Sequence, residues 1–355
     1  MIMDKITKRR IALVGGAGFI GHNLAIKLKS LGNKVFIIDS LSVNNYHHFK
    51  NNADTVPNAG LYINIIHERL NLIKKWDIPL IEQDSRDYIK MSRIMTDLDV
   101  DTLIHLAAVA HADRSNKDPF STFDHSLRTL ENSLDIARSP ELKIKHFVYF
   151  SSSMVYGNFP SHFVTEETPC EPIGIYGALK FAGEKMVIAY NQVFNLPYTI
   201  VRPSALYGER CVSRRVGQIF IENAMRGLEV SISGDGSDRL DFTYIGDLVD
   251  GIVNILENEN SKGQILNLTY GASRSISEMA AILAEHFPNI RIKYLPKDML
   301  MPNRGTLAID KAKRLIGYNP QYPLEKGFVN YIEWYKSIWH HLNKEKTTVK
   351  DKGRV

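Results

Sequence analysis

Between the apolar run Ile11-Ala12-Leu13-Val14 and the helical spacing Leu24-Ala25-Leu28 stands Gly15-Gly16-Ala17-Gly18-Phe19-Ile20-Gly21. A buried strand that turns through glycines straight into a helix leaves few folds open. With no Cβ at Gly15, Gly18 and Gly21, backbone N–H groups at a helix N-terminus can approach a pyrophosphate, with Phe19 and Ile20 in the same turn. The next apolar run, Val35-Phe36-Ile37-Ile38, ends in Asp39. A carboxylate about twenty residues past the glycines accepts hydrogen bonds from an adenosine ribose and repels a 2′-phosphate. The unit is a βαβ crossover with a dinucleotide seat, and it favours NAD over NADP.

The alternation continues. Ser40 to Asn45 is a polar loop placed to close over the adenosine. Leu61 to Trp76 has helical periodicity with mixed charge, and Ile78-Pro79-Leu80-Ile81 is the expected third strand. After it, Asp84 and Ser85 would reach the adenine side; Asp84 also suits the N-cap of a helix through Tyr88, Met91 and Ile94. A fourth strand, from Asp101, ends in Leu106-Ala107-Ala108, small enough to let backbone pass close to a dinucleotide. His105 within it is expected to be a hydrogen-bonded core histidine. His111 and Arg114 follow in a loop at the sheet's C-terminal edge, and Asp118-Pro119 opens a long helix.

A fifth apolar run, Phe147 to Phe150, leads into Ser151-Ser152-Ser153-Met154-Val155-Tyr156-Gly157. Further on, Tyr176 and Lys180 are four apart at the head of a helical pattern, which puts both on one face. An ammonium beside a phenol favours the phenolate, so the pair suits removal of a hydroxyl proton while a hydride leaves the same carbon. A serine at the end of the preceding strand can hold the same oxygen. Beyond Arg202-Pro203-Ser204-Ala205-Leu206-Tyr207-Gly208 the alternation becomes irregular, with Ser275 placed to cap a helix from Ile276.

Composition excludes several classes. A net charge of +5 without a basic block or aromatic ladder argues against nucleic acid, and part of the excess fits an anionic small ligand. Two cysteines, Cys170 and Cys211, form neither a disulfide framework nor metal-ligand spacing, which fits a reducing cytoplasm; no metal site is expected. No apolar run is long enough for a membrane span.

Together these stretches resemble the extended short-chain dehydrogenases/reductases, specifically the NAD-dependent nucleotide-sugar epimerase/dehydratase family, over roughly residues 10–340. The resemblance implies an α/β fold: a Rossmann-like doubly wound parallel sheet with a smaller discontinuous α/β substrate lobe. The expected division is 8–205 plus 239–266 for NAD, 206–238 plus 267–340 for a nucleotide-diphosphate sugar, and a basic, unstructured tail at 341–355. It implies Tyr176 as general base, Lys180 as its partner and a ribose ligand, and Ser152 as the second hydroxyl. Ser153, Arg239 and Arg304 fall to the substrate, Arg304 as the arginine on its diphosphate.

Family dehydratases carry an Asp-Glu pair where Ser153 and Met154 stand here, and a thioether moves no proton. Ala205 replaces a frequent Asn, His125 another, and the Arg-Asp-Phe motif reads Arg239-Leu240-Asp241-Phe242. The expected activity is therefore 4-epimerisation through a transient 4-keto sugar. A net 4-dehydrogenase or ketoreductase shares the same residues, and a non-catalytic nucleotide-binding protein is the reading from another class. Helices from Pro119 to Arg138 and from Tyr176 to Val193, through Phe123, Leu127, Leu130, Met186 and Tyr190, are expected to pair in a homodimer.

Overall fold

The computed structural model describes residues 8–43, 45–109, 112–297 and 302–351, with side chains as far as residue 339. β1 (Arg10–Val14) passes through the glycine turn into α1 (Phe19–Ser30) and returns as β2 (Lys34–Asp39). Two helices, α2 (Tyr46–Asn51) and α3 (Ala59–Lys75), make an excursion before β3 (Leu80–Glu82). α4 (Tyr88–Leu98), β4 (Thr102–His105) and α5 (Ala112–Lys117) follow. α6 (Pro119–Phe123), a π-helical turn (Asp124–Arg128) and α7 (Thr129–Ala137) then run on without a break.

β5 (His146–Phe150), β6 (Phe163–Val164), α8 (Gly174–Phe194) and β7 (Tyr198–Arg202) complete the regular alternation. Next come β8 (Leu206–Tyr207), α9 (Val216–Met225), β9 (Val230–Ser233), β10 (Arg239–Leu240) and β11 (Thr243–Tyr244). α10 (Ile245–Glu257), β12 (Gln264–Asn267), β13 (Arg274–Ser275) and α11 (Ile276–His286) follow. β14 (Ile292–Leu295), β15 (Thr306–Leu307), α12 (Asp310–Ile316) and α13 (Leu324–Asp351) end the chain's described elements.

Seven strands form one parallel sheet in the order β12-β7-β5-β4-β1-β2-β3. Both faces are covered, and β1 shows why. Ile11 and Leu13 pack with Leu24, Ala25 and Leu28 of α1 in one core, while Ala12 and Val14 pack with Met91, Met95 and Leu134 in the other. A strand buried on both sides must be apolar throughout rather than alternating. From β1 the chain moves outward to β2 and β3, then crosses back to β4 on β1's other side. That reversal opens the crevice in which an open α/β sheet holds its ligand. At its floor Gly15, with φ +78°, lies so near β4's exit that a Cβ would stand 2.7 Å from the Ala107 nitrogen.

The remaining strands pair in twos: β6 with β15, β8 with β11, β9 with β14 and β10 with β13. The β6–β15 pair joins the segment after β5 to the residues just past Arg304. Ser275 caps α11 in a full capping box with Glu278, as its position suggested.

Four expectations need correction. β3 begins at Leu80 rather than Ile78, because Pro79 has no N–H to give the ladder. Asp87, not Asp84, caps α4, accepting from the Lys90 nitrogen. Leu127 and Leu130, expected at a dimer face, are buried in the core under the sheet, whereas Phe120 and Phe123 are exposed. The stretch expected to be an unstructured tail continues α13 as far as Asp351; neither glycine nor proline interrupts it before Gly353.

Candidate active site

A cavity of about 790 Å³ opens along the C-terminal ends of β1, β2, β4 and β5. Every residue assigned from the sequence to catalysis, cofactor or substrate lines it: Gly15, Gly18, Phe19, Ile20, Gly21, Asp39, Ser40, Asp84, Ser85, Leu106, Ala107, Ala108, Ser152, Ser153, Tyr176, Lys180, Arg239 and Arg304; Arg114 does not. His111 lies outside the described residues. His105 is a core residue as expected: it meets Ser133 Oγ at 3.0 Å, and burial holds its pKa near about 3.

The dinucleotide end is built by β1, α1 and β2. At Gly18, φ is −73° and an added Cβ would meet only the Gly15 oxygen, at 3.5 Å. The fold itself therefore does not require glycine there; what the missing side chain leaves clear is the cradle at the head of α1. Asp39 accepts from the Ala17 nitrogen at 2.9 Å and the Leu41 nitrogen at 2.8 Å. A carboxylate has about four acceptor sites, so two remain for ribose hydroxyls. Burial raises the Asp39 pKa, and those two N–H donors oppose the rise. Asp84, by contrast, is gripped by Arg86, whose Nη2 lies 2.6 Å from it.

The reactive end is built by the exit of β5 and the head of α8. Tyr176 is half-buried at the cavity wall. One turn on, Lys180 is buried; its Nζ donates to the Phe150 carbonyl at 2.6 Å and lies 5.2 Å from the Tyr149 ring centre. Burial lowers its pKa to about 8, against the pull of Glu184. Ser152 caps a 3-10 turn (Ser153–Tyr156), its hydroxyl accepting from the Met154 nitrogen at 3.2 Å. That bond fixes the serine oxygen at the mouth of β5 and leaves its proton to give.

Glu184, a third turn along α8, was not foreseen. It takes a hydrogen bond of 2.5 Å from Ser151 and a two-pronged grip from Arg202, at 2.9 and 2.7 Å. The pair is almost wholly buried, and Arg202 also donates to Tyr156, which donates to Asn267. No sequence motif marked it; only the i, i+4, i+8 series Tyr176-Lys180-Glu184 hinted at one polar stripe on an apolar helix.

On the opposite wall Arg304 donates to Ser204 Oγ at 3.2 Å, to Ser153 Oγ, and to Met154 Sδ at 2.9 Å, and its Nε has no partner among the described residues. Burial lowers its pKa to about 10, so it remains a cation, and among the described residues no carboxylate is bonded to it. Arg239, in contrast, is already engaged: it donates to Ser273, and Glu278 lies 3.5 Å away. Arg214 and Arg215, just before α9, line the same wall and were not singled out beforehand. Ala205, at the position where the family resemblance led one to expect Asn, has φ +35°, a region short polar side chains tolerate better than alanine.

The arrangement can seat a dinucleotide against β1 and present a phenol, an amine and a serine hydroxyl to a second ligand held on a cationic wall. It offers no carboxylate at Ser153 or Met154 for an elimination.

Comparison with known proteins agrees. A "Putative UDP-glucose 4-epimerase" of Methanocaldococcus jannaschii is 29% identical over 334 residues, covering 92% of this chain and 98% of the relative. UDP-glucuronate 4-epimerase 4 of Arabidopsis thaliana is 26% identical, covering 93% of this chain and 76% of that one. The crystal structure of a UDP-glucuronic acid 4-epimerase from Bacillus cereus, in complex with UDP-glucuronic acid and NAD, superposes with a TM-score of 0.81 at 25% identity, over 92% of this chain and 99% of that one. The family described as "NAD dependent epimerase/dehydratase family" matches residues 11–269, and the chain belongs to it.

Proposed function

We propose that this chain is an NAD-dependent 4-epimerase of UDP-sugars. The observation that carries the reading is the pair Tyr176 and Lys180 opening into the glycine-cradled cavity, with Ser153 and Met154 where elimination would need an acid and a base. The residues fit NAD: a cradle free of Cβ atoms at Gly18, spare acceptor sites on Asp39 and an amine at Lys180. When bound, NAD takes up and returns the C4 hydride.

The chain's own groups do the rest. Tyr176 removes the proton of the sugar 4-hydroxyl and later gives it back. Lys180, held by the Phe150 carbonyl, stabilises the phenolate and meets the nicotinamide ribose, while Ser152 donates to the 4-oxygen. Proton transfer by a positioned group contributes about 10²- to 10⁴-fold in rate. Arg304, cationic and without a carboxylate partner among the described residues, suits the diphosphate, with Arg239 in the same cavity wall and Ser153 at the sugar. A fixed guanidinium matches a pyrophosphate better than an amine does. The boundaries 8–205 plus 239–266 and 206–238 plus 267–340 serve as the cofactor and substrate portions. A two-fold dimer through the exposed α6 face and α8, and a cytoplasmic location consistent with two free cysteines, complete the reading.

Incubation with UDP-glucose and UDP-glucuronate, followed by separation of the products, tests it. The expected outcome is the 4-epimer without added cofactor. Tyr176→Phe should lower turnover at least 10²-fold and leave NAD bound. Stoichiometric NADH with a released keto sugar would instead favour the net dehydrogenase.

A further inference from the structure

α3 carries a charge on its apolar face. Tyr62, Ile65, Ile66 and Ile73 are buried there, and Arg69 is buried among them at 1% exposure. Its Nε and Nη2 donate to one acceptor, the Arg210 carbonyl, at 2.8 and 2.5 Å. Nη1 has no partner among the described residues. Among the described residues no carboxylate is bonded to it; Asp39, whose oxygens are held by Ala17 and Leu41, acts on it only at a distance. Burial lowers its pKa to about 10, which leaves it charged at neutral pH. A buried cation with a free donor is strongly destabilising unless something balances it.

The balance has to come from the cavity, because Arg69 lines it together with Gly18, Phe19 and Asp39, and its charge is felt at Asp39 and at His22 of α1. Those are the residues of the cofactor's phosphate and ribose seat, and a pyrophosphate is the dianion that a nicotinamide dinucleotide brings there. We propose that Arg69 is a ligand of the NAD pyrophosphate, with Nη1 supplying a side-chain donor to the cradle of backbone N–H groups at the head of α1. The two bonds to Arg210 fix the guanidinium plane in advance, so little freedom is lost on binding. The same bonds explain the α2–α3 excursion: it delivers one cation to a seat that the βαβ unit alone leaves without one. The rival role is a clasp that only holds the loop after β8.

Calorimetric titration of the full-length, cofactor-stripped chain with NAD, ADP and adenosine separates the two. In Arg69→Met, NAD and ADP should bind roughly 10- to 100-fold more weakly, with adenosine unchanged. Equal weakening of ADP and adenosine would mean a merely distorted seat, and unchanged ADP affinity would mean a clasp; either result overturns the proposal. Should Arg69→Met fail to fold, Arg69→Lys carries the same comparison. A lysine can satisfy the carbonyl or the phosphate but not both, so weakened ADP with unchanged adenosine is again expected. Unchanged ADP, or both weakened alike, would again refute it.

Discussion

The ammonium of Lys180 reaches the last carbonyl of β5 and lies over the Tyr149 ring, with almost no access to water. Its folded pKa of about 8 lies below the ordinary lysine value. Above pH 8 the folded chain sheds this proton while the unfolded chain keeps it up to about 10.4. The unfolded state then binds more protons, so this group makes stability rise with pH across that window. Below it, burying the charge costs on the order of 3 kcal/mol. Lys180→Met should therefore melt higher than the parent near pH 7 in cofactor-stripped protein, and the gap should close between pH 8 and 10. Epimerisation should meanwhile fall about 10²- to 10⁴-fold. Melting curves across that pH range, set beside rates, check both. Tyr176 and Lys180 were readable from their spacing once the glycine turn and the serine-bearing strand stood before them in the sequence. The bond to Phe150 was not, because a partner thirty residues away is set by the sheet and not by local periodicity.

Among the elements, the β1–α1 turn was the most legible, since its glycines answer to sterics that any βαβ unit shares. At Gly21 a Cβ would stand 2.4 Å from the Gly16 oxygen, which is backbone and cannot swing aside. Gly21→Ala should push α1 off the turn, cost about 1–3 kcal/mol and lower the NAD retained on purification. Cofactor released on denaturation and the melting temperature measure the two effects. α3 was legible as a helix, but its purpose was not. Arg69 falls in the i, i+3, i+4 series of Tyr62, Ile65 and Ile66, and a charge on that stripe was the one available signal. The π-helical turn between α6 and α7 left no mark in the sequence, because a single wide turn does not disturb the apolar spacing enough to be seen.

For the whole molecule, the parallel sheet and its cleft followed from the order of apolar runs. The far wall did not: Arg304 reaches Ser153 only because β15 pairs with β6, two strands of two residues each. The surface was also only half legible. Helical spacing could not say which apolar residues face the sheet, and the structure buries Leu127 and Leu130 while leaving Phe120 86% exposed. α6 packs beside α8, whose Val193 and Phe194 are likewise exposed. If this face joins two copies, Phe120→Glu should shift the protein from dimer to monomer in sedimentation, with cofactor content unchanged.

Tyr176, Lys180 and Glu184 occupy successive turns of α8, and the last is locked to Arg202 in the interior. Rolling the helix about its axis would tear apart two opposite charges with no water to receive them. The direction in which the phenol points is thus set two turns away, by an anchor that never meets the sugar. In evolving a new specificity, this lineage is free to redraw the cationic wall, while the phase of α8 must stay where the anchor holds it.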